Sequence, residues 1–243
     1  KIIKHLHIGR SDIIGRYYST LPNIKVIGHD ELYSIKEKKP ESVSISAFDP
    51  KRKIAINRSS NFISEVCSLI PKHCKVIYFS TARILDNATE PRHAAYVENK
   101  VHDEIQLRAF FDNVSIVYLP LIIPQSREDK NFFIETFFKN LKSRSIVFDV
   151  SLDSSWNFIH PSDLKIITNN INKLTEKQLL INKKSFTGHD FVSFAKQLCS
   201  LKSITYGDKI VRYPEAIKTN VMYGEYDFFS NYNWLKVLDE IYG

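Results

Sequence analysis

The feature that most constrains the fold is the alternation, over the first 150 residues, of short β-branched runs with longer segments of helical period. The runs predict strands, and apolar residues at i, i+3 and i+4 predict helices. The predicted strands are Ile2–Ile8, Ile24–Ile27, Ser42–Ala47, Lys75–Phe79, Val114–Leu119 and Ser145–Phe148, and the predicted helices are Ile13–Leu21, Asn57–Ile70, Tyr96–Phe111 and Phe132–Leu141. Parallel neighbours need crossovers that cover both sheet faces. The pattern therefore predicts an α/β protein with a Rossmann-like, doubly wound parallel sheet.

The alternation weakens after residue 150. The later segments are a helix from about Pro161, a strand around Leu179–Ile181, a helix from Gly188 to about Leu201, and an aromatic-rich tail from Tyr213 without a clear period. Open α/β proteins bind ligands at the carboxyl ends of their strands. We therefore predict a dinucleotide-binding core over residues 1–150 and a small, substrate-facing C-terminal lobe over residues 151–243, packed on that core.

Charge and apolar patterning limit the classes of function. The 34 Lys and Arg residues exceed the 27 Asp and Glu residues by a net charge of +7, spread along the chain without a basic stripe, so we expect no nucleic-acid partner. The longest apolar stretch, Val114 to Pro124, is shorter than the roughly 18 residues that a membrane span needs. The segment Lys1–His7 turns polar too early for a secretory signal. We expect a cytoplasmic protein.

Cysteine and histidine spacing gives no sign of a metal centre. Cys67, Cys74 and Cys199 form no CxxC pair, which predicts reduced, structural thiols. His5 and His7 share one face of the first strand, but such a pair is more often hydrogen-bonded or exposed than metal-binding. We predict no metal site.

A turn with two glycines follows the first strand. Its sequence is Gly9-Arg10-Ser11-Asp12-Ile13-Ile14-Gly15. Glycines at such a turn let backbone N–H groups approach a pyrophosphate. Asp12 stands between them, where it either places a negative charge beside the phosphates or caps the helix. Asp30 follows the second strand and could accept hydrogen bonds from the adenosine ribose of NAD. Arg10 and Arg16 could instead bind the 2′-phosphate of NADP, so the sequence does not decide between NAD and NADP.

A second group of polar residues follows the fourth strand. The strand ends in Ser80-Thr81, and Tyr96 and Lys100 lie four residues apart on one face of the next helix. A lysine ammonium lowers the pKa of a neighbouring phenol, so that the tyrosine exchanges a proton with a substrate near neutral pH. Thr81 is placed to hold the substrate oxygen. The alternative interpretation is that Tyr96 and Lys100 belong to a solvated helix face.

These motifs resemble the extended short-chain dehydrogenases/reductases, in particular the branch that acts on nucleotide sugars as epimerases, dehydratases and 4-keto reductases. The resemblance covers most of the chain. Gly9 and Gly15 stand in the family's GxxGxxG, and Phe79–Asp86 resembles its strand ending in Ser-Thr. Tyr96 and Lys100 match its YxxxK, with Glu104 at the downstream acidic position, and Asn57 takes the place of its proton-relay Asn. Ile116–Pro120 resembles the strand leading to the nicotinamide, and Trp156–Leu164 resembles the family's fIhvdDva segment.

The resemblance implies an NAD(P)-dependent reductase or epimerase of a nucleotide-activated 4-keto sugar, in bacterial surface-polysaccharide biosynthesis. The implied catalytic residues are Thr81, Tyr96 and Lys100, and the implied cofactor contacts are Gly9, Arg10, Ser11, Asp12, Ile13, Gly15, Asp30, Asn57, Lys100 and Pro120. Dehydratases of this branch carry Asp-Glu after the strand-end Thr, where this chain has Ala82-Arg83, which favours reduction or epimerisation. The partner is a nucleotide sugar, and a homodimer is left open.

The chain departs from the family in three features. Asp12 replaces a glycine, the interval from Thr81 to Tyr96 is short, and the C-terminal third is small. Asp12 supports an alternative, a catalytically inactive Rossmann-like binding or scaffolding module of the same superfamily, whereas the other two departures concern which substrate is held. The joint presence of Thr81, Tyr96 and Lys100 favours the enzyme.

Overall fold

The protein is described by a computed structural model over residues 4–46, 62–85, 91–129, 131–214, 219–230 and 233–243. In chain order the described strands are β1 (His5–Ile8), β2 (Ile24–Ile27), β3 (Ser42–Ile45), β4 (Lys75–Thr81), β5 (Val114–Leu119), β6 (Leu121–Ile122), β7 (Ser145–Phe148), β8 (Ser155–Trp156), β9 (Phe158–Ile159), β10 (Lys177–Asn182), β11 (Phe186–Thr187), β12 (Ser203–Tyr206), β13 (Arg212–Tyr213) and β14 (Asn220–Gly224). The described helices are α1 (Ile13–Ser19), α2 (Ser34–Lys38), α3 (Phe62–Leu69), α4 (Pro91–Phe110), α5 (Phe132–Lys142), α6 (Lys165–Asn169), α7 (Gly188–Leu198) and α8 (Asn233–Tyr242).

The central sheet has seven parallel strands in the order β14-β10-β5-β4-β3-β1-β2. The chain runs from β1 to β2 on one side and then crosses to β3 on the other side. The strand order therefore reverses at β1, and the carboxyl ends of β1 and β3 flank the crevice where open α/β sheets bind ligands. The predicted Rossmann-like parallel sheet is confirmed.

Helices cover both faces of this sheet, as parallel pairing requires. Alternate residues of β1 face opposite sides: Leu6 and Ile8 pack in one apolar cluster with α2, α3 and α4. On the other face, Tyr18 of α1 packs in a second cluster with Phe79 of β4 and with α6. His7 lies on that second face, with its ring edge-on to Tyr18 at 4.9 Å between centroids.

The part of the chain beyond residue 150 contributes both to the central sheet and to a separate aromatic core. β10 and β14 extend the central sheet, whereas β7 pairs with β12 in a two-stranded sheet of its own. The predicted strand Ser145–Phe148 therefore forms, but outside the central sheet. The division at residue 150 stays a prediction.

The aromatic tail has more regular structure than its sequence indicates, because it contains β14 and α8. Phe228 and Trp234 pack with α5 and α7 in the third apolar cluster, and the Trp234 Nε1 group donates to the Phe228 carbonyl at 2.8 Å. Among the described helices, none combines the length and apolar character that crossing a membrane requires.

Candidate active site at the carboxyl edge of the sheet

The turn between β1 and α1 depends on its two glycines. Gly9 has φ 137°, a conformation that favours glycine, and its N–H donates to the Ile27 carbonyl at 3.1 Å. Gly15 lies against the Gly9 carbonyl so closely that a Cβ there would overlap the carbonyl oxygen. Both predicted glycines therefore hold α1 tightly against the end of β1.

Asp12 caps α1. Its Oδ1 accepts from the Gly15 N–H at 2.7 Å, and its Oδ2 shares a hydrogen bond with the Ser46 hydroxyl, just after β3, at 2.6 Å. Burial raises the pKa of Asp12, against the hydrogen bonds with Ser46 and with the backbone of Gly15 and Ile14, which lower it. The Asp12 carboxyl thus accepts hydrogen bonds from backbone N–H groups of the kind that bind a pyrophosphate at a glycine-lined turn.

The charged groups around the turn are paired with one another. Arg10 forms an ion pair with Glu31, and Arg16 forms one with the buried Asp129. Asp30 is exposed in the short 3₁₀ turn after β2. Both arginines that suit a 2′-phosphate in the sequence therefore have carboxylate partners in the fold.

Two buried carboxylates of α4 attach this helix to the central strands. Asp103 accepts from the Tyr78 hydroxyl at 2.8 Å. Glu104 accepts from the Ser80 hydroxyl at 2.6 Å and from the Tyr118 hydroxyl at 3.1 Å. These bonds fix the rotation of α4 relative to β4 and β5.

Lys100 lies on the same anchored face of α4 and is 4% exposed. Its ammonium donates to the Phe79 carbonyl at 3.0 Å and lies 4.6 Å from the centroid of the Tyr78 ring. The lysine is therefore held near the carboxyl end of β4, which ends at Thr81.

Tyr96 lies one helical turn before Lys100. Desolvation raises its pKa to about 12; the Arg83 guanidinium lowers it, and the Asp12 and Asp103 carboxylates raise it. This direction is opposite to the sequence-based prediction of a lowered pKa. The phenol is therefore protonated throughout the neutral range.

Thr81 is the last residue of β4 and is buried. Its Oγ1 accepts from the Arg83 N–H at 3.3 Å, which leaves the hydroxyl proton for another acceptor. Pro120 is buried directly after β5, at the same edge. Asn57 lies outside the described residues.

The fold brings the predicted site residues that the structure describes to the carboxyl edge of the sheet. The glycine turn follows β1, Thr81 ends β4, and Pro120 follows β5. The Tyr96–Lys100 pair lies on α4. Asp30 follows the outer strand β2. Lys100 lowers the pKa of Asp12, and Asp12 raises that of Tyr96, so the turn and the helix act on each other electrostatically.

Sequence reasoning missed Ser46 and Arg83, which hold Asp12 and influence Tyr96. Ser46 does carry a signal. It continues an alternating series with Ser42 and Ser44 on β3, the strand that pairs with the histidine-bearing β1.

Neither protein-family models nor curated protein sequences match this chain. Solved structures match it over nearly its whole length. A dTDP-4-dehydrorhamnose reductase from Clostridium acetobutylicum superposes with a TM-score of 0.63 at 18% identity, covering 98% of each chain.

Two further structures carry related names. The UDP-N-acetylglucosamine 4-epimerase from Bacillus cereus superposes with a TM-score of 0.61 at 11% identity, covering 99% of this chain and 95% of the other. A GDP-mannoheptose C4 reductase from Campylobacter jejuni, with NADP bound, gives 0.63 at 11%, covering 96% and 98%. The protein has the fold of these reductases and epimerases. The structural neighbours are the nucleotide-sugar enzymes that the sequence resembles.

Proposed function

We propose that the protein is an NAD(P)-dependent reductase of a nucleotide-activated 4-keto sugar. The observation that carries this proposal is the protonated, desolvated Tyr96 hydroxyl on the same anchored helix as Lys100, with Thr81 at the strand end that Lys100 contacts. The near-complete overlap with reductases of nucleotide sugars supports it.

The β1–α1 turn fits a dinucleotide in its backbone. Gly9 allows the tight turn after β1 and Gly15 allows α1 to pack closely on that turn, as a dinucleotide-binding turn requires, and the turn lies where the strand order reverses. Asp12 is the one departure, since its carboxyl accepts from N–H groups of that turn. The residues we propose to hold the dinucleotide are Gly9, Arg10, Ser11, Asp12, Ile13, Gly15, Asp30, Asn57, Lys100 and Pro120. When bound, the reduced dinucleotide supplies a hydride.

Tyr96 acts in this proposal as the general acid. Reduction of a carbonyl puts negative charge on its oxygen, and a neutral phenol gives that oxygen its proton. The Arg83 guanidinium stabilises the phenolate that remains, since a nearby cation favours the charged form of a phenol. The Thr81 hydroxyl donates a hydrogen bond to the same oxygen, and Lys100, fixed by Phe79 and Tyr78, positions that end of the site.

The protonated phenol favours reduction over epimerisation. An epimerase that first oxidises a hydroxyl needs Tyr96 as a base, and a phenol with a pKa of about 12 is almost entirely in its acid form at neutral pH. We propose a nucleotide-sugar partner on the strength of the fold neighbours, and a place in surface-polysaccharide synthesis on the strength of the family resemblance of the sequence.

The second candidate function is an inactive binding or scaffolding module. The occupied N–H groups at Asp12 favour it. Parallel calorimetric titrations with NAD⁺, NADH, NADP⁺ and NADPH separate the two, because a reductase binds at least one reduced dinucleotide. Absence of binding to all four would overturn the reductase and support the module.

A further inference from the structure

A buried row of polar side chains connects β1 to β3 and ends at Asp12. We call it the serine–histidine ladder. From one end to the other its members are the Lys4 carbonyl, Ser42, His5, Ser44, His7, Ser46 and Asp12. Consecutive members lie 2.6 to 2.9 Å apart. The parallel register sets His5 opposite Ser42 and His7 opposite Ser44, so each imidazole uses both of its nitrogens.

The middle of the ladder, from Ser42 to Ser46, is buried, whereas Lys4 at one end is exposed and Asp12 at the other is half-buried. His7 is fully buried, with Tyr18 of α1 and Phe79 of β4 at its ring. The charged and titratable groups that act on the Asp12 end come from α4, namely Lys100 and Tyr96. A polar group in such surroundings needs a hydrogen-bond partner, because leaving it unpaired costs about 1–3 kcal/mol.

Counting hydrogens shows that ordinary ionisation states do not complete the ladder. Seven members make six contacts, and each contact needs one hydrogen. Three serine hydroxyls and two neutral imidazoles supply one hydrogen each, which makes five. The Lys4 carbonyl and an ionised carboxylate supply none. One contact therefore lacks a hydrogen unless the ladder binds one more proton.

Only two kinds of group accept that proton. On Asp12 it makes the carboxyl a donor to Ser46, and every link then points from Asp12 toward Lys4. On an imidazole it leaves a buried cation and a buried carboxylate, each of which needs compensation. Burial raises the pKa of Asp12 and lowers that of His5 to about 4 and that of His7 to about 3, with His5 contributing to the shift of His7.

We propose that the serine–histidine ladder holds its additional proton on Asp12, so that the carboxyl at the β1–α1 turn is uncharged in the folded protein and does not repel a diphosphate bound there. The second half of this proposal rests on the proposed function. The first half is a property of the fold and is measurable without any ligand.

The protonated state has a definite pattern of tautomers. Ser42 donates to Lys4, so His5 must donate to Ser42 from Nδ1 and accept from Ser44 at Nε2. His7 likewise carries its hydrogen on Nδ1, facing Ser44, and accepts from Ser46 at Nε2. An ionised Asp12 instead draws the Ser46 hydrogen toward itself and puts the His7 hydrogen on Nε2.

NMR on the intact protein tests the first half. In ¹³C-labelled protein, with the Asp12 signal assigned by its loss in Asp12→Asn, we expect the carboxyl to remain protonated at neutral pH, unlike an ordinary aspartate, which titrates at about 3.9. In ¹⁵N spectra we expect neutral His5 and His7, both protonated on Nδ1. An Asp12 carboxyl that is ionised at neutral pH, or a proton on Nε2 of His7, would overturn the proposal, and both readings come from the wild-type protein.

A substitution at the far end of the ladder tests the count itself. Ser42→Ala removes two contacts and one hydrogen, so the four remaining contacts have four hydrogens with Asp12 ionised. We expect the Asp12 midpoint to fall by about one pH unit or more, although Ser42 does not touch Asp12. The matched control is Ser115→Ala, a fully buried serine of β5 in the same sheet and outside the ladder, which should leave the midpoint unchanged. Equal midpoints in wild type and Ser42→Ala contradict the proposal.

Calorimetry with NADH and NADPH tests the second half. We expect the affinity of wild type for the reduced dinucleotide to fall as the pH rises through the Asp12 midpoint. Asp12→Asn supplies the missing hydrogen without charge, so we expect it to bind equally below and above that midpoint. Binding by wild type that is independent of pH overturns the ladder's role and leaves the reductase intact. No binding at any pH, with Asp12 still protonated by NMR, overturns the reductase and leaves the ladder's proton intact.

Discussion

The Lys100 ammonium donates to the carbonyl of Phe79 at 3.0 Å, and this bond joins the predicted catalytic helix to the end of β4. The neighbouring bonds from Tyr78 to Asp103 and from Ser80 to Glu104 add two further attachments between the same elements. Tyr96 is thereby presented by a helix whose rotation is fixed at three points. The site is built on regular elements, which hold reacting groups more precisely than loops do.

The first prediction concerns the pH dependence of carbonyl reduction. Because the pKa of Tyr96 is about 12, the acid form is available across the neutral range. We expect the rate of reduction to be flat between about pH 6 and pH 9, and the reverse oxidation to rise with pH. Steady-state rates in both directions, with Arg83→Gln to test whether the cation is needed, measure this. A reduction rate that falls with a midpoint near pH 7 would show that the phenol is acidified, as the Tyr96–Lys100 spacing alone suggests.

The second prediction concerns the glycine turn. Gly15→Ala should displace α1, because the added Cβ overlaps the Gly9 carbonyl, and we expect a loss of about 1–3 kcal/mol or more in the free energy of unfolding. Gly28→Ala is the matched control, since its first contact is the movable end of the exposed Asp30 side chain. Urea unfolding of both variants checks this. Equal stability would mean that the turn does not depend on Gly15.

The third prediction concerns stability at acid pH. The pKa values of His5 and His7 lie below the ordinary 6.5 in the folded state, so below that pH the unfolded chain binds more protons. The free energy of unfolding should therefore fall as pH decreases from about 6.5 toward 4, by roughly 1.4 kcal/mol per pH unit for each histidine. Denaturant unfolding at several pH values measures this slope.

The double variant His5→Asn/His7→Asn should have a shallower slope over that range, whereas His189→Gln, at an exposed histidine, should keep the slope of wild type. An acid transition identical in all three proteins contradicts the assignment of these two imidazoles as buried and neutral.

The fourth prediction concerns the choice of dinucleotide. Asp30 and Glu31 place two carboxyl groups after β2, and Arg10 is paired with Glu31. We expect NADH to bind more tightly than NADPH. Glu31→Gln, which releases Arg10, should improve NADPH binding by about two- to five-fold, the range for an exposed charge pair. The control is Glu37→Gln on α2. If NADPH binds more tightly to wild type, Arg10 meets the phosphate in spite of Glu31.

Periodicity predicted the class of fold because four strands of the first 150 residues, β1, β3, β4 and β5, are buried on both faces and are bounded by clear helical segments. It did not predict β14, whose residues Asn220–Gly224 lie at the sheet edge and are partly exposed, so no apolar run marks them. Ser145–Phe148 shows the converse case. Its strand pattern is real, but its pairing with β12 depends on contacts distant in sequence.

The candidate site was predictable in its residue types and less so in its electrostatics. The Tyr96–Lys100 spacing places both on one helix face, but the direction of the Tyr96 pKa depends on desolvation and on Arg83 and Asp12, which only the fold brings near. The alternating His and Ser residues of β1 and β3 have the period of a solvent-facing strand. Only the pairing of these two strands reveals that they satisfy each other inside the protein.

The measurement that tests the central claim most directly is the turnover of nucleotide-linked 4-keto sugars by wild type and by Tyr96→Phe, followed by the loss of reduced dinucleotide. The variant removes one hydroxyl and almost no packing volume, so folding and dinucleotide binding should be retained. The account predicts that wild type reduces at least one such sugar and that Tyr96→Phe is slower by about 10²- to 10⁴-fold. A wild type that binds a reduced dinucleotide but reduces none of the sugars, or a Tyr96→Phe variant with the full rate, would contradict it.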